Sequence, residues 1–290
     1  MNEPTGSAPD PSSGWYPDPD GSARHRWWDG KEWTWQVSVG SVVEWAAPPG
    51  PPATQLQRVK LPGMAIAVTG FVVGAVIGAL VQVVLRALTD LGDVAIFGIS
   101  EVGLWVGFVG AVLAVSRRRG SGSLRVDYGL AGRPIDLAFG LAGSLAGRAM
   151  ATAAVVPFAV FLLHKSANPD QQLYRLLLPG TGGWAVLVLV TCVGAPIVEE
   201  LFFRGLVQTR LVARWGPAPG IAVTAVLFGA AHLIGWAGPE SLLYAWGIAA
   251  AGLALGTVRH LTGRLGTSMV AHALFNTQAI VLLAATAVIR

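Results

Sequence analysis

The stretch VEELFFRG at Val198–Gly205 places Glu199, Glu200 and Arg204 in a chain segment that is apolar for many residues upstream. FGAAH brings Phe228 and His232, and HALFN brings His272 and Asn276, into equally apolar surroundings. Glu101 and Arg148 are the other ionisable residues inside apolar runs. An acidic or basic group at the middle of a membrane helix costs roughly 2.5–3.5 kcal/mol on insertion scales, so each of these residues is a candidate for function.

Helical spacing sorts them. Glu200 and Arg204 are four residues apart and are predicted to pair on one face. Glu199 projects about a hundred degrees away and has no helical partner. Phe228 precedes His232 by one turn, and His272 precedes Asn276 by one turn. Three separate helices thus offer polar groups to one interior site. A carboxylate and a histidine can jointly take a proton from water, while a second histidine and an amide N–H can stabilise the oxyanion that forms at a carbonyl. Peptide hydrolysis needs both functions, and no serine or cysteine sits in a recognisable nucleophile motif.

Other uses of the same groups stay open. Glu199, His232 and His272 have the composition of many catalytic zinc sites, two histidines and a carboxylate. The chain lacks His-Glu-x-x-His, so a divalent metal would be held by ligands far apart in sequence, and the hydrolytic argument does not require it. The polar groups could instead form a structural network in a helix bundle. A non-catalytic immunity or scaffold protein that binds a peptide is a further alternative. So is a proton-coupled transporter, against which the lack of an internal repeat argues.

The elements that must position these residues are membrane helices. Of 290 residues, 53% are hydrophobic and 12% charged, about half the charge fraction of a soluble domain. The composition predicts an all-α, polytopic integral membrane bundle of about seven helices, near 62–85, 91–115, 135–163, 183–208, 217–235, 239–258 and 268–289. The net charge of +4 is modest and the arginines cluster between apolar runs, which reads as a topology signal and excludes a nucleic-acid footprint. Arg58, Lys60, Arg117, Arg118, Arg119, Arg125, Arg133, Arg210, Arg214, Arg259 and Arg264 fall on alternate connections, favouring a cytoplasmic N-terminus in the cell membrane. Cys192 is the only cysteine, so an intrachain disulfide is impossible.

Ahead of the bundle the chain divides into a Pro/Ser/Gly-rich segment at 1–13, expected to be disordered, a Trp-rich segment at 14–37, expected to form two or three short strands, and a Pro-rich linker at 38–60. No signal peptide is evident, so the apolar run from Pro62 is read as a retained membrane helix in a transmembrane domain over 61–290.

The ordered set Glu-Glu-x-x-x-Arg, Phe-x-x-x-His and His-x-x-x-Asn resembles the CPBP family of intramembrane proteases, which takes in type II CAAX prenyl endopeptidases and bacteriocin-processing enzymes. The resemblance covers roughly 184–289. It implies a helical intramembrane endopeptidase in which Glu199 is the essential base acting with His232 on water. His272 and Asn276 would form the oxyanion site, with Glu200, Arg204 and Phe228 in support. The family is often labelled a metalloprotease, whereas its CAAX members are described as glutamate-dependent, so the metal stays open. The implied partners are the lipid bilayer and a peptide or membrane-protein substrate. GWYPDPDG and the later WWDGKEW resemble a short domain of unknown function found ahead of bacterial membrane proteins, which suggests a bacterial source.

Two expectations are exposed to geometry. Straight helices would put His232 about 22 Å, and His272 about 6 Å, from the same membrane face, so a shared site demands a tilted, unwound or re-entrant stretch. Arg148 lies outside every motif and is expected to pair with an acid, Glu101 being one candidate.

Overall fold

In the computed structural model the apolar runs form helices and the Trp-rich segment forms a sheet. The structure describes residues 12–19, 24–28, 33–40, 42–45, 62–161, 180–233 and 239–288. The expected disorder before residue 12 and most of the Pro-rich linker lie outside them. The chain splits into two compact units, Met1–Arg58 and Val59–Arg290.

The first unit is an antiparallel meander of β1 (Gly14–Pro17), β2 (His25–Trp28), β3 (Trp33–Val39) and β4 (Val42–Trp45), with strand order β1-β2-β3-β4. The sheet continues past Val37 into residues read from the sequence as linker. Its interior is aromatic and ionic. Tyr16, Trp28 and Trp33 meet edge to face. Arg26 is buried and donates from Nε and Nη2 to the two carboxylate oxygens of Asp18, at 3.0 and 2.9 Å. That planar, two-pronged pairing compensates a charge that so small a core could not otherwise enclose.

The second unit is the helical bundle: α1 (Pro62–Leu88), α2 (Asp93–Arg119), α3 (Leu124–Tyr128), α4 (Asp136–Phe161), α5 (Gly180–Val188), α6 (Ala195–Glu199), α7 (Thr209–Trp215), α8 (Pro217–Ala231), α9 (Pro239–Thr262) and α10 (Leu265–Val288). Two π-helical stretches, Leu189–Gly194 and Glu200–Gln208, link α5 to α6 and α6 to α7 in one rod. Pro196 accounts for the first. It has no N–H for the carbonyl four residues back and its ring crowds that carbonyl, so the preceding turn widens.

Among the described residues six helices are long and apolar enough to cross a membrane; the rod counts as one, over Gly183–Trp215. The seventh expected span does not form as such. The run at 217–235 becomes α8, a 15-residue helix, short of the roughly 20 residues a bilayer demands. Gly216 explains its abrupt start: φ is +85°, open to glycine, and the chain reverses there. A Cβ on Gly220 would sit 2.6 Å from the Val212 backbone nitrogen, so α7 and α8 approach backbone to backbone.

Small residues set the other contacts. Gly70, Gly74 and Gly78 of α1 face Gly107, Leu104 and Ser100 of α2, without room for side chains. Gly140 and Gly143 of α4 face Val270 on α10 and Val258 on α9, which lays α4 across both helices. At one end, Arg264 and Thr267 hold Asp136, Arg259 donates to the Tyr128 carbonyl at 2.7 Å, and the Leu265 amide donates to Gly129 O at 2.8 Å. These bonds tie the start of α4 to the α9–α10 turn.

Candidate active site

Phe228 is the wall that joins the predicted residues. Its ring lies 4.9 Å from His232 and 5.6 Å from His272, both edge to face, and the Arg204 guanidinium sits 4.1 Å over its centroid. Phe203 packs edge-on at 5.2 Å and continues through Phe202, Phe108 and Phe71 as an aromatic row reaching α1. The row fixes the π stretch Glu200–Gln208, all of whose residues are buried.

Glu200 and Arg204 are fully buried and pair at 2.8 Å, as their spacing predicts. The π-helical backbone does not separate them, because a four-residue step still brings them to neighbouring positions. His272 approaches the same oxygen, Nδ1 to Glu200 Oε1, at 3.0 Å. A carboxylate held by an arginine only accepts, so Nδ1 of His272 donates and its Nε2 is left to face the site. His232 Nδ1 lies 2.8 Å from Phe228 O. A carbonyl cannot donate, so the proton is on Nδ1 and Nε2 presents a lone pair.

Glu199, unlike Glu200, makes no hydrogen bond to a described residue through either oxygen, although Oε2 of Glu200 is unpartnered too. The Oε2 of Glu199 is buried. Glu101, Glu200 and Arg204 lie within electrostatic range of it, and His272 and Arg204 lie within electrostatic range of His232. Asn276, one turn beyond His272, donates its amide to Thr191 O at 2.6 Å on the first π stretch. The structure thus gathers Glu200, Arg204, Phe228, His232 and His272 by direct contact, Glu199 by electrostatic proximity, and Asn276 along the adjacent turn.

The depth gap narrows where α10 begins earlier than expected, and both histidines meet at Phe228. α10 starts at Leu265, so His272 is its eighth residue and lies about 10 Å inside its first turn. α8 stops at Ala231, and His232 forms its C-cap inside the bundle, opposite Tyr244 at 6.3 Å between rings. Arg148 corrects the expectation of an acidic partner. It donates to Phe275 O at 2.6 Å and to Gln278 Oε1 at 3.4 Å, and stacks on Phe275 at 4.1 Å. α4 packs on α9 and α10, whereas Glu101 lies on α2 within range of Glu199.

The candidate metal ligands Glu199, His232 and His272 do not converge as a ligating set. Among the described residues no group of three or more His, Cys, Asp or Glu is placed to hold an ion. Each histidine commits its Nδ1, one to a carbonyl and one to Glu200, which leaves Nε2 as its remaining ring nitrogen. No chemical step is therefore routed through a metal here.

Sequence reasoning missed three participants. The Thr191 carbonyl and Tyr244 carry no motif of their own. Trp105 lies one turn from Glu101 on α2, against Gly194, and keeps a buried indole N–H without a partner among the described residues. A tryptophan in an apolar span reads from sequence as lipid-facing, and only its closeness to the rod reveals otherwise.

Neither curated proteins nor solved structures yield a match to this chain. Two family models do. Residues 13–55 match the protein family of unknown function DUF2510. Residues 181–278 match the family described as type II CAAX prenyl endopeptidase Rce1-like, which holds all three motifs and implies a membrane protease. Across most of the rod, α8, α9 and much of α10, this multi-pass membrane protein is thus similar to the type II CAAX prenyl endopeptidase Rce1-like family, and its N-terminal segment is similar to DUF2510.

Proposed function

We propose that the protein is an intramembrane endopeptidase that hydrolyses a peptide bond of a membrane-proximal peptide or protein, using water activated by Glu199 and His232. The observation that carries the reading is the contrast between adjacent carboxylates. Each leaves its Oε2 buried and unpartnered, but Glu200 is engaged through Oε1 by Arg204 and His272, while Glu199 makes no hydrogen bond to a described residue through either oxygen. A native structure rarely leaves such an acceptor alone without a functional reason, and a water donating to it would be oriented for deprotonation.

The roles follow from proton positions. Glu199 accepts a proton from the attacking water, and Nε2 of His232 offers the second acceptor. The hydroxide adds to the scissile carbonyl, and the oxyanion is met by His272 and by the Asn276 amide. Glu200 orients His272 by accepting from its Nδ1. Arg204 holds Glu200 in place and stacks on Phe228, keeping the wall between the histidines rigid. The proton taken from water passes to the leaving amine, so the hydrolysis balances without another reactant.

The test compares cells carrying the wild-type protein with cells carrying Glu199→Ala, reading membrane-associated peptides by mass spectrometry. Peptides produced by the wild type should disappear in the variant while its membrane insertion and abundance are unchanged. Unaltered peptide production in a normally inserted Glu199→Ala protein overturns the assignment of Glu199.

A further inference from the structure

We propose that Arg148 is a substrate-recognition residue that binds a carboxylate of the peptide, an inference that rests on the proposed peptidase site. Arg148 is the thirteenth of the 26 residues of α4, so its Cα lies about 18 Å from either helix end. A guanidinium at that depth carries a large desolvation cost unless something of opposite charge compensates it. Among the described residues nothing does. Its partners are the Phe275 carbonyl, the Gln278 amide oxygen and the Phe275 ring, all uncharged.

The surroundings hold the group in position without neutralising it. Gln278 is fixed in turn by donating to Ser144 Oγ at 2.8 Å, so α4 and α10 build the seat together. Nη2 is taken by Phe275 O, and Nε reaches Gln278. Nη1 makes no hydrogen bond to a described residue and keeps accessible surface. A planar cation with one edge anchored and one nitrogen open is suited to receive an anionic oxygen.

The seat adjoins the candidate site on two sides. Phe275, which Arg148 grips by both ring and carbonyl, lies between His272 and Asn276 on α10. Tyr244 lies within electrostatic range of Arg148 and packs 6.3 Å from His232, ring to ring. A peptide whose scissile bond lies at the histidines can therefore place a carboxylate a few residues away against Arg148. That carboxylate is either the peptide's free C-terminus or an acidic side chain, and the two share the same chemistry.

The experiment uses the full chain carrying Glu199→Gln, in lipid nanodiscs, so that binding is read without turnover. The probes are three fluorescent twelve-residue peptides of otherwise identical apolar sequence: one with a free C-terminal carboxylate, one with a C-terminal amide, and one with the amide plus an internal glutamate. Anisotropy should show the amide peptide binding about ten- to hundredfold more weakly than at least one carboxylate peptide. Which of the two is favoured identifies the source. Arg148→Gln should erase the difference and Arg148→Lys should restore part of it, with both variants monodisperse. Equal affinities for all three probes, or a preference that survives Arg148→Gln, overturn the proposal. The Glu199→Ala peptide comparison does not involve these probes, so the peptidase reading can fail or stand separately.

Discussion

Removing the Arg204 guanidinium and the Glu200 charge together should cost less than the sum of removing each alone. Both side chains are fully buried, the pair is 2.8 Å apart, and His272 adds a second bond to the same Glu200 oxygen. Taking one partner from a buried pair leaves the other charge uncompensated, which typically costs about 3–5 kcal/mol. Arg204→Met also loses the stacking on Phe228 and the bond to Gly252 O at 3.3 Å, so the upper half of that range applies. Glu200→Gln retains an acceptor for Arg204 and should fall in the lower half. The double variant leaves no net charge at the seat. Its destabilisation should be smaller than the sum of the singles by about 2 kcal/mol or more, the size expected for residues in one network. The assay is reversible denaturation in mixed micelles, followed by tryptophan fluorescence, for the wild type, both singles and the double. Additive losses would show that Glu200 is compensated elsewhere, and the account of the site built on this pair would be wrong.

Asp127 caps the α2–α3 turn, accepting from Ser116 Oγ, Ser121 N and Ser121 Oγ. Burial pushes its pKa up, but the bonds from Ser116, Ser121 and Gly122 together hold it below the usual carboxylate range. A folded value below the unfolded one means a contribution complete above an unfolded pKa of about 3.9 and lost as pH falls below it through the lower folded value. Melting temperatures measured across that window should drop less steeply for Asp127→Asn than for the wild type, and parallel profiles would rule out the effect. Orientation is testable at the end of the bundle where Arg259, Arg264 and the loop after Tyr128 meet. Its arginines favour the cytoplasmic side. In a Cys192→Ser background, Gly132→Cys should therefore resist a membrane-impermeant maleimide in intact cells and react after permeabilisation; labelling of intact cells reverses the topology.

Much of this protein can be read locally. Hydropathy alone marks the membrane helices, because every backbone polar group in lipid must be satisfied within its own segment and only long apolar helices do so. The Glu200–Arg204 pair is visible because four residues span one turn, and the three motifs are visible because each lies within a single helix. The alternating aromatic run likewise marks the N-terminal strands, though not the fourth, whose short stretch at Val42–Trp45 looks like the start of the linker.

Tertiary structure decided whatever depends on which helix lies beside which. Helical period shows a residue's face but not its neighbour across the interface. That is why Arg148 was assigned an acid and found Phe275 and Gln278, and why Glu101 was assigned Arg148 and came to lie near Glu199. Hydropathy also cannot tell a helix that crosses from one that stops inside. α8 ends at Ala231, and its packing in the bundle brings His232 and His272 to the same ring of Phe228. The difference between the two adjacent glutamates has the same origin. One carboxylate is held through Oε1 by an arginine and by a histidine 72 residues away in the chain, the other has no hydrogen bond to a described residue, and only the packing of α10 and α8 against the rod separates their fates.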